Sequence, residues 1–95
     1  MAAHAIEAAG AFAIVVELVP SPVTQQLTAE LNVPTIGIGA GPHCDGQIQV
    51  MHDILGLSDQ EYKHTKRFAD VRLVALTGMQ DYAKSVKTGA FPPKD

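Results

Sequence analysis

The chain alternates between short, wholly apolar runs and longer stretches with helical spacing, and that order predicts α-β-α-β-loop-β-α. Residues 2–9 (AAHAIEAA) read as a short helix: alanine dominates, Ala5, Ile6 and Ala9 share a face, and Gly10 supplies the stop. Phe12 to Val16 (FAIVV) is apolar at every position. A strand wetted on one side would alternate, so this run predicts a parallel strand covered on both faces and ending at Glu17. Ser21 to Leu31 predicts a helix, with Ser21 as cap, Pro22 in the first turn, a buried stripe of Val23, Leu27 and Leu31, and Asn32 to close it. Pro34 to Ile38 reads as a second strand and Gly39 to Gly46 as a loop. Ile48 to His52 reads as a third strand. The last helix is expected over about 68–86, its apolar positions keeping the 3.6-residue period despite Gly78.

Alternation of this kind implies parallel strands joined by helical crossovers. Three such strands leave two open edges and need cover on both faces, so the expected architecture is a slice of a larger α/β fold. A first helix without a cap residue points the same way, toward truncation. The 95 residues allow a single domain and show no repeat.

Composition narrows the function classes. Charged residues make up 18% and apolar ones 46%, which argues against disorder and for more buried surface than a free-standing chain of this size requires. A net charge of −3 provides no basic field for nucleic acid. The run Ala11 to Val16 is far short of the ~20 residues of a membrane helix, and the first ten residues carry Glu7 but no Lys or Arg, unlike a targeting peptide. The single cysteine, Cys44, rules out an internal disulfide framework and fits a reducing compartment, with the cytoplasm as the expected location.

Glu17 is the sharpest chemical signal. A carboxylate at the carboxyl end of a buried parallel strand stands on the rim where α/β folds build active sites. Apolar surroundings there would disfavour its charge and move it toward the range of a general base, whereas a rim ion pair is the plain alternative. Gly37 to Gly41 (GIGAG) lacks the third glycine of a dinucleotide fingerprint, which leaves a nucleotide-binding half-domain as a weak third option. What it does predict is a bare backbone that a ligand, a neighbouring loop or a subunit can approach closely. His43, Cys44 and Asp45 have ligand chemistry, but adjacent residues rarely converge on one ion, so a structural loop is favoured and no metal ligand is assigned. His52 and Asp53 are expected to end the third strand on the same rim as Glu17, in a pocket role or as a local cap.

With these residues placed, the chain resembles ketopantoate hydroxymethyltransferase (3-methyl-2-oxobutanoate hydroxymethyltransferase). The resemblance rests on AGAFAIVVELVP (Ala9 to Pro20), VPTIGIGAGPHCDGQIQVMHDILGL (Val33 to Leu57), KRFAD (Lys66 to Asp70) and GAFP (Gly89 to Pro92). It implies a (β/α)8 TIM barrel, of which residues 1–95 would be the C-terminal part: about strands six to eight with the terminal helices. It also implies transfer of a hydroxymethyl group from 5,10-methylenetetrahydrofolate to 3-methyl-2-oxobutanoate, giving ketopantoate for pantothenate biosynthesis. Glu17, in the V-E-x-V-P segment, would be the catalytic base. Mg2+ is implied as cofactor with ligands outside this chain, and cofactor-binding residues remain unassigned. The family further implies a homo-oligomer acting on small molecules, without nucleic acid or membrane. On this reading the 95 residues alone are inactive, and the competing reading is an inactive fragment serving as an assembly module. Tyr62 to Thr65 (YKHT) departs from the family pattern, which often has proline and phenylalanine here, and the departure predicts weakened docking of that segment.

Overall fold

The computed structural model describes residues 2–94. The elements in chain order are α1 (Ala2–Ala8), β1 (Ile14–Glu17), α2 (Ser21–Glu30), β2 (Thr35–Ile38), β3 (Gly46–Gln47), α3 (Met51–Leu55) and α4 (Val71–Thr88). They fall into two compact units. One runs to Val50 and takes in Tyr62–Thr65; the other comprises Met51–Glu61 and the chain from Lys66 onward.

The first unit is built on a three-stranded sheet in the order β1-β2-β3. Both pairings are parallel, with Ile14 opposite Thr35, Glu17 opposite Ile38, and Gln47 opposite Gly37. The expected α/β class with parallel strands is therefore observed. The core is one-sided: Ile14 and Val16 pack with Leu27 of α2, with Leu31 just past its end and with Ala40. Val15 is 60% exposed and Phe12 is 89% exposed. Cover on the second face, expected from a larger fold, is not supplied by the described residues. Every second residue of β1 is exposed. The strand also starts two residues later than expected and takes in Glu17 itself.

α2 matches its predicted span to within one residue, with two changes of detail. Pro20 occupies the cap position with no side-chain cap bond, and Ser21 is already helical. The buried face holds Thr24 in place of Val23. Threonine is tolerated there because its hydroxyl donates back to the Val19 and Pro20 carbonyls, at 3.5 and 3.4 Å. Asn32 donates its backbone N–H to Glu7 Oε2 at 2.6 Å, and Val33 does so at 3.1 Å, tying α1 to the start of β2.

The third strand is expected over Ile48–His52. Instead β3 is the dipeptide Gly46–Gln47, and Met51–Leu55 is helical. A short apolar run carries no period that separates strand from helix. Here the ladder ends at the bond from Ile48 N–H to the Gly37 carbonyl, and a bond from Leu57 N–H to the His52 carbonyl closes the helical turn instead.

In the second unit, α4 begins at Val71, three residues after the expected Phe68. Phe68 and Ala69 both donate to the Ile54 carbonyl, and those bonds hold them outside the helix. The helix ends two residues beyond the expected Val86, where Gly89 takes a left-handed φ of 79° and donates to Val86. No residue of α4 is buried.

Candidate functional site

Parallel strands put their carboxyl ends on one rim, and in the first unit that rim carries Glu17, Leu18 and the loop from Gly39. Glu17 is the last residue of β1, in register with Ile38. Ile14 and Val16 face α2, so the alternation of the pleat places Glu17 with Val15, Ile36 and Ile38 on the uncovered face. Glu17 is exposed, so the apolar surroundings expected for it are not supplied by the described residues.

Leu18 follows with φ of 52°, and among the described residues it is the only non-glycine with positive φ. A left-handed leucine costs about 1 kcal/mol. Its N–H still donates to the Ile38 carbonyl at 2.9 Å, so the ladder continues one bond past Glu17 while the chain turns out of the sheet. The Leu18 side chain settles over Gly39. A methyl group built there would come within 2.7 Å of Leu18 Cδ2 and 3.0 Å of His64 Cβ. Gly39 itself has φ of 64°.

Gly39, Ala40, Gly41 and Pro42 line an open hollow of about 610 Å3 with Gln47 and His64. Gln47 Nε2 donates to the Gly41 carbonyl at 2.9 Å. Ser21 crowds Gly41 so closely that a side chain there would overlap it. The GIGAG loop thus admits close neighbours, as expected: Cys44 and Gln47 at Gly37, Leu18 and His64 at Gly39, and Ser21 at Gly41. The Tyr62–Thr65 segment belongs to this unit but lies on its surface, with Tyr62, Lys63 and His64 exposed; His64 lies over Gly39 and stacks on Tyr62 with ring centroids 5.7 Å apart.

In the His43–Asp45 stretch, Asp45 holds the loop to the start of β2. Asp45 Oδ2 accepts from Thr35 N–H at 2.9 Å, and Asp45 N–H returns a bond to the Thr35 hydroxyl at 3.3 Å. Thr35, fully buried, also shares a 2.8 Å hydroxyl bond with Thr28. Half-buried Cys44 packs its sulfur against Gly37. His52 and Asp53 do not end a strand beside Glu17; both lie on α3, in the other compact unit. Among the described residues no three His, Cys, Asp or Glu side chains gather as a metal site requires. The described residues do not by themselves fit a magnesium site.

Leu18 and His64 carry no assignment from the sequence. Nothing in the residue type of Leu18 signals a left-handed turn. For His64 the one available signal is its place in a segment that departs from the family pattern.

The family model described as ketopantoate hydroxymethyltransferase matches residues 1–94. The chain belongs to the ketopantoate hydroxymethyltransferase family. Its relatives include proteins named 3-methyl-2-oxobutanoate hydroxymethyltransferase. That of Pyrobaculum aerophilum is 48% identical over 93 residues, covering 98% of this chain and 36% of the relative. The protein of Pelobacter propionicus is 50% identical over 94 residues, covering 98% of this chain and 35% of its own. That of Chloroflexus aurantiacus is 52% identical over 91 residues, with 95% and 32% covered. The chain therefore spans about a third of the length of the curated family members it matches. Among the described residues no helix is long and apolar enough to cross a membrane.

Proposed function

We propose that residues 1–95 form the C-terminal part of a (β/α)8 barrel, about strands six to eight with the terminal helices. The barrel transfers a hydroxymethyl group from 5,10-methylenetetrahydrofolate to 3-methyl-2-oxobutanoate, with Glu17 as base. The observation that carries this reading is the facing of β1. In such a barrel the helix-covered side of each strand is the outside, and alternate residues line the interior. Ile14 and Val16 pack with α2, so Val15 and Glu17 point inward. Glu17 stands at the carboxyl end, where these barrels place their catalytic groups. Neighbouring strands would supply the apolar surroundings it lacks in this chain.

In that position the Glu17 carboxylate accepts the proton from carbon 3 of the keto acid. The electron pair left behind delocalises into the adjacent carbonyl, and carbon 3 then bonds to the one-carbon unit. Water releases that unit from tetrahydrofolate at the formaldehyde level before the new bond forms, its two protons going to the two nitrogens as the carbon–nitrogen bonds break. The proton held by Glu17 passes to the alkoxide left when carbon 3 has bonded. Magnesium, the folate co-substrate, a cytoplasmic setting and a homo-oligomeric state belong to the same reading, all by family resemblance.

The test is a chimera in which the part of the Pyrobaculum aerophilum protein outside its matched segment is joined to residues 1–95. Magnesium-supplemented chimera is expected to form ketopantoate, and residues 1–95 alone to form none. Turnover by the isolated 95 residues, or none by a chimera that melts cooperatively, would overturn the proposal.

A second reading, an assembly module, is favoured by α4, where Leu73, Val74, Leu76 and Met79 are all exposed. An apolar helix surface of this kind predicts self-association. Light scattering at micromolar concentration is expected to give more than the monomer mass; a stable monomer would end that reading.

A further inference from the structure

We infer that Leu18 is a positioning residue for Glu17, acting through its left-handed backbone. The inference rests on the proposed role of Glu17 as base. Strain at a non-glycine residue persists only where its surroundings over-determine it, and such residues cluster at functional sites. Leu18 is over-determined from two sides. Its N–H is held by the Ile38 carbonyl at 2.9 Å, and its side chain rests on the bare α-carbon of Gly39, with His64 on the same point. Glu17 is thereby pinned between its own ladder register with Ile38 and a following residue that cannot extend. An extended residue 18 would carry β1 onward and release the carboxylate from the strand end. The left-handed turn keeps Glu17 as the terminal rung, with its backbone fixed on both sides.

Two substitutions separate the turn from the packing. Asparagine is nearly isosteric with leucine and tolerates the left-handed region, but it is polar; valine is apolar, and its branched Cβ opposes positive φ. The readout is deuterium exchange at carbon 3 of 3-methyl-2-oxobutanoate, measured in the chimera. Leu18→Val is expected to lower kcat about tenfold or more, since small misplacements of a reacting group are costly. Leu18→Asn is expected to lower it only about threefold, and KM should stay within about twofold in both. The reverse order would show that apolar packing matters and would overturn the inference, as would unchanged kcat in both variants. A rise in KM at constant kcat would make Leu18 a ligand contact and overturn it too. Glu17→Gln in the same assay keeps the two readings apart. If exchange survives that change, the base assignment fails; if it is lost while Leu18 variants behave as the parent, only the positioning role fails.

Discussion

Replacing Glu17 with glutamine in the chimera is expected to lower carbon-3 exchange by roughly 10²- to 10⁴-fold, the usual worth of a positioned general base. The amide keeps the size and hydrogen-bonding reach of the side chain but cannot accept the proton. The fold should be untouched, because the bonds of its strand are made by the backbone and the amide fills the same space as the carboxylate. Thermal melts of Glu17→Gln and parent are therefore expected to coincide. Exchange at the parent rate would remove Glu17 from the chemistry. A matching loss of melting temperature would make its role structural.

The second large effect is expected at Gly56, in the unit that holds α4. Gly56 has φ of 66°, and an added methyl would lie 2.5 Å from the Ala69 carbonyl oxygen and 3.1 Å from the Asp70 Cα. Both are backbone atoms, so no rotamer change relieves the overlap. The same stretch is laced together by bonds from Phe68 and Ala69 to the Ile54 carbonyl and from Arg72 to the Gly56 carbonyl. Gly56→Ala must break that lacing or bear the left-handed strain and the overlap, at a cost of about 3 kcal/mol or more. Amide hydrogen exchange is the measurement. Phe68, Ala69 and Arg72 should lose protection while Leu18 and Ile48, in the other unit, keep theirs. Unchanged protection at Ala69 would mean the junction accommodates a methyl after all.

Much of the first unit is legible in the sequence because its signals are local. An unbroken apolar run marks β1, prolines bracket the starts of α2 and β2, and glycines announce the loop between β2 and β3. The position of Glu17 at a strand end follows from the same pattern. What escapes depends on partners distant in sequence. Val15 is exposed although it sits in the same apolar run as buried Ile14 and Val16, a difference no pattern within FAIVV can encode. Met51–Leu55 is helix where Ile48–Met51, apolar at every position but Gln49, fits a strand equally well, and His52 and Asp53 move with it. Phe68 is drawn out of α4 by a carbonyl fourteen residues earlier in the chain. Leu18 adopts a conformation its residue type disfavours, so propensity argues against the feature that matters most at the rim. The family itself is legible from long motifs that span nearly the whole chain.

The Glu7 carboxylate, bonded to Asn32 and Val33, closes a ring of some 25 residues around β1 and α2. A covalent cross-link over that span would act mainly on the unfolded chain, lowering its conformational freedom by about 3 kcal/mol in free-energy terms. The carboxylate does the opposite. It leaves the unfolded chain unconstrained and engages only when α1 and the start of β2 already lie side by side. It therefore works as a latch on the finished β-α-β unit: it contributes little to the search for that unit, and its effect should appear in the rate at which the unit comes apart.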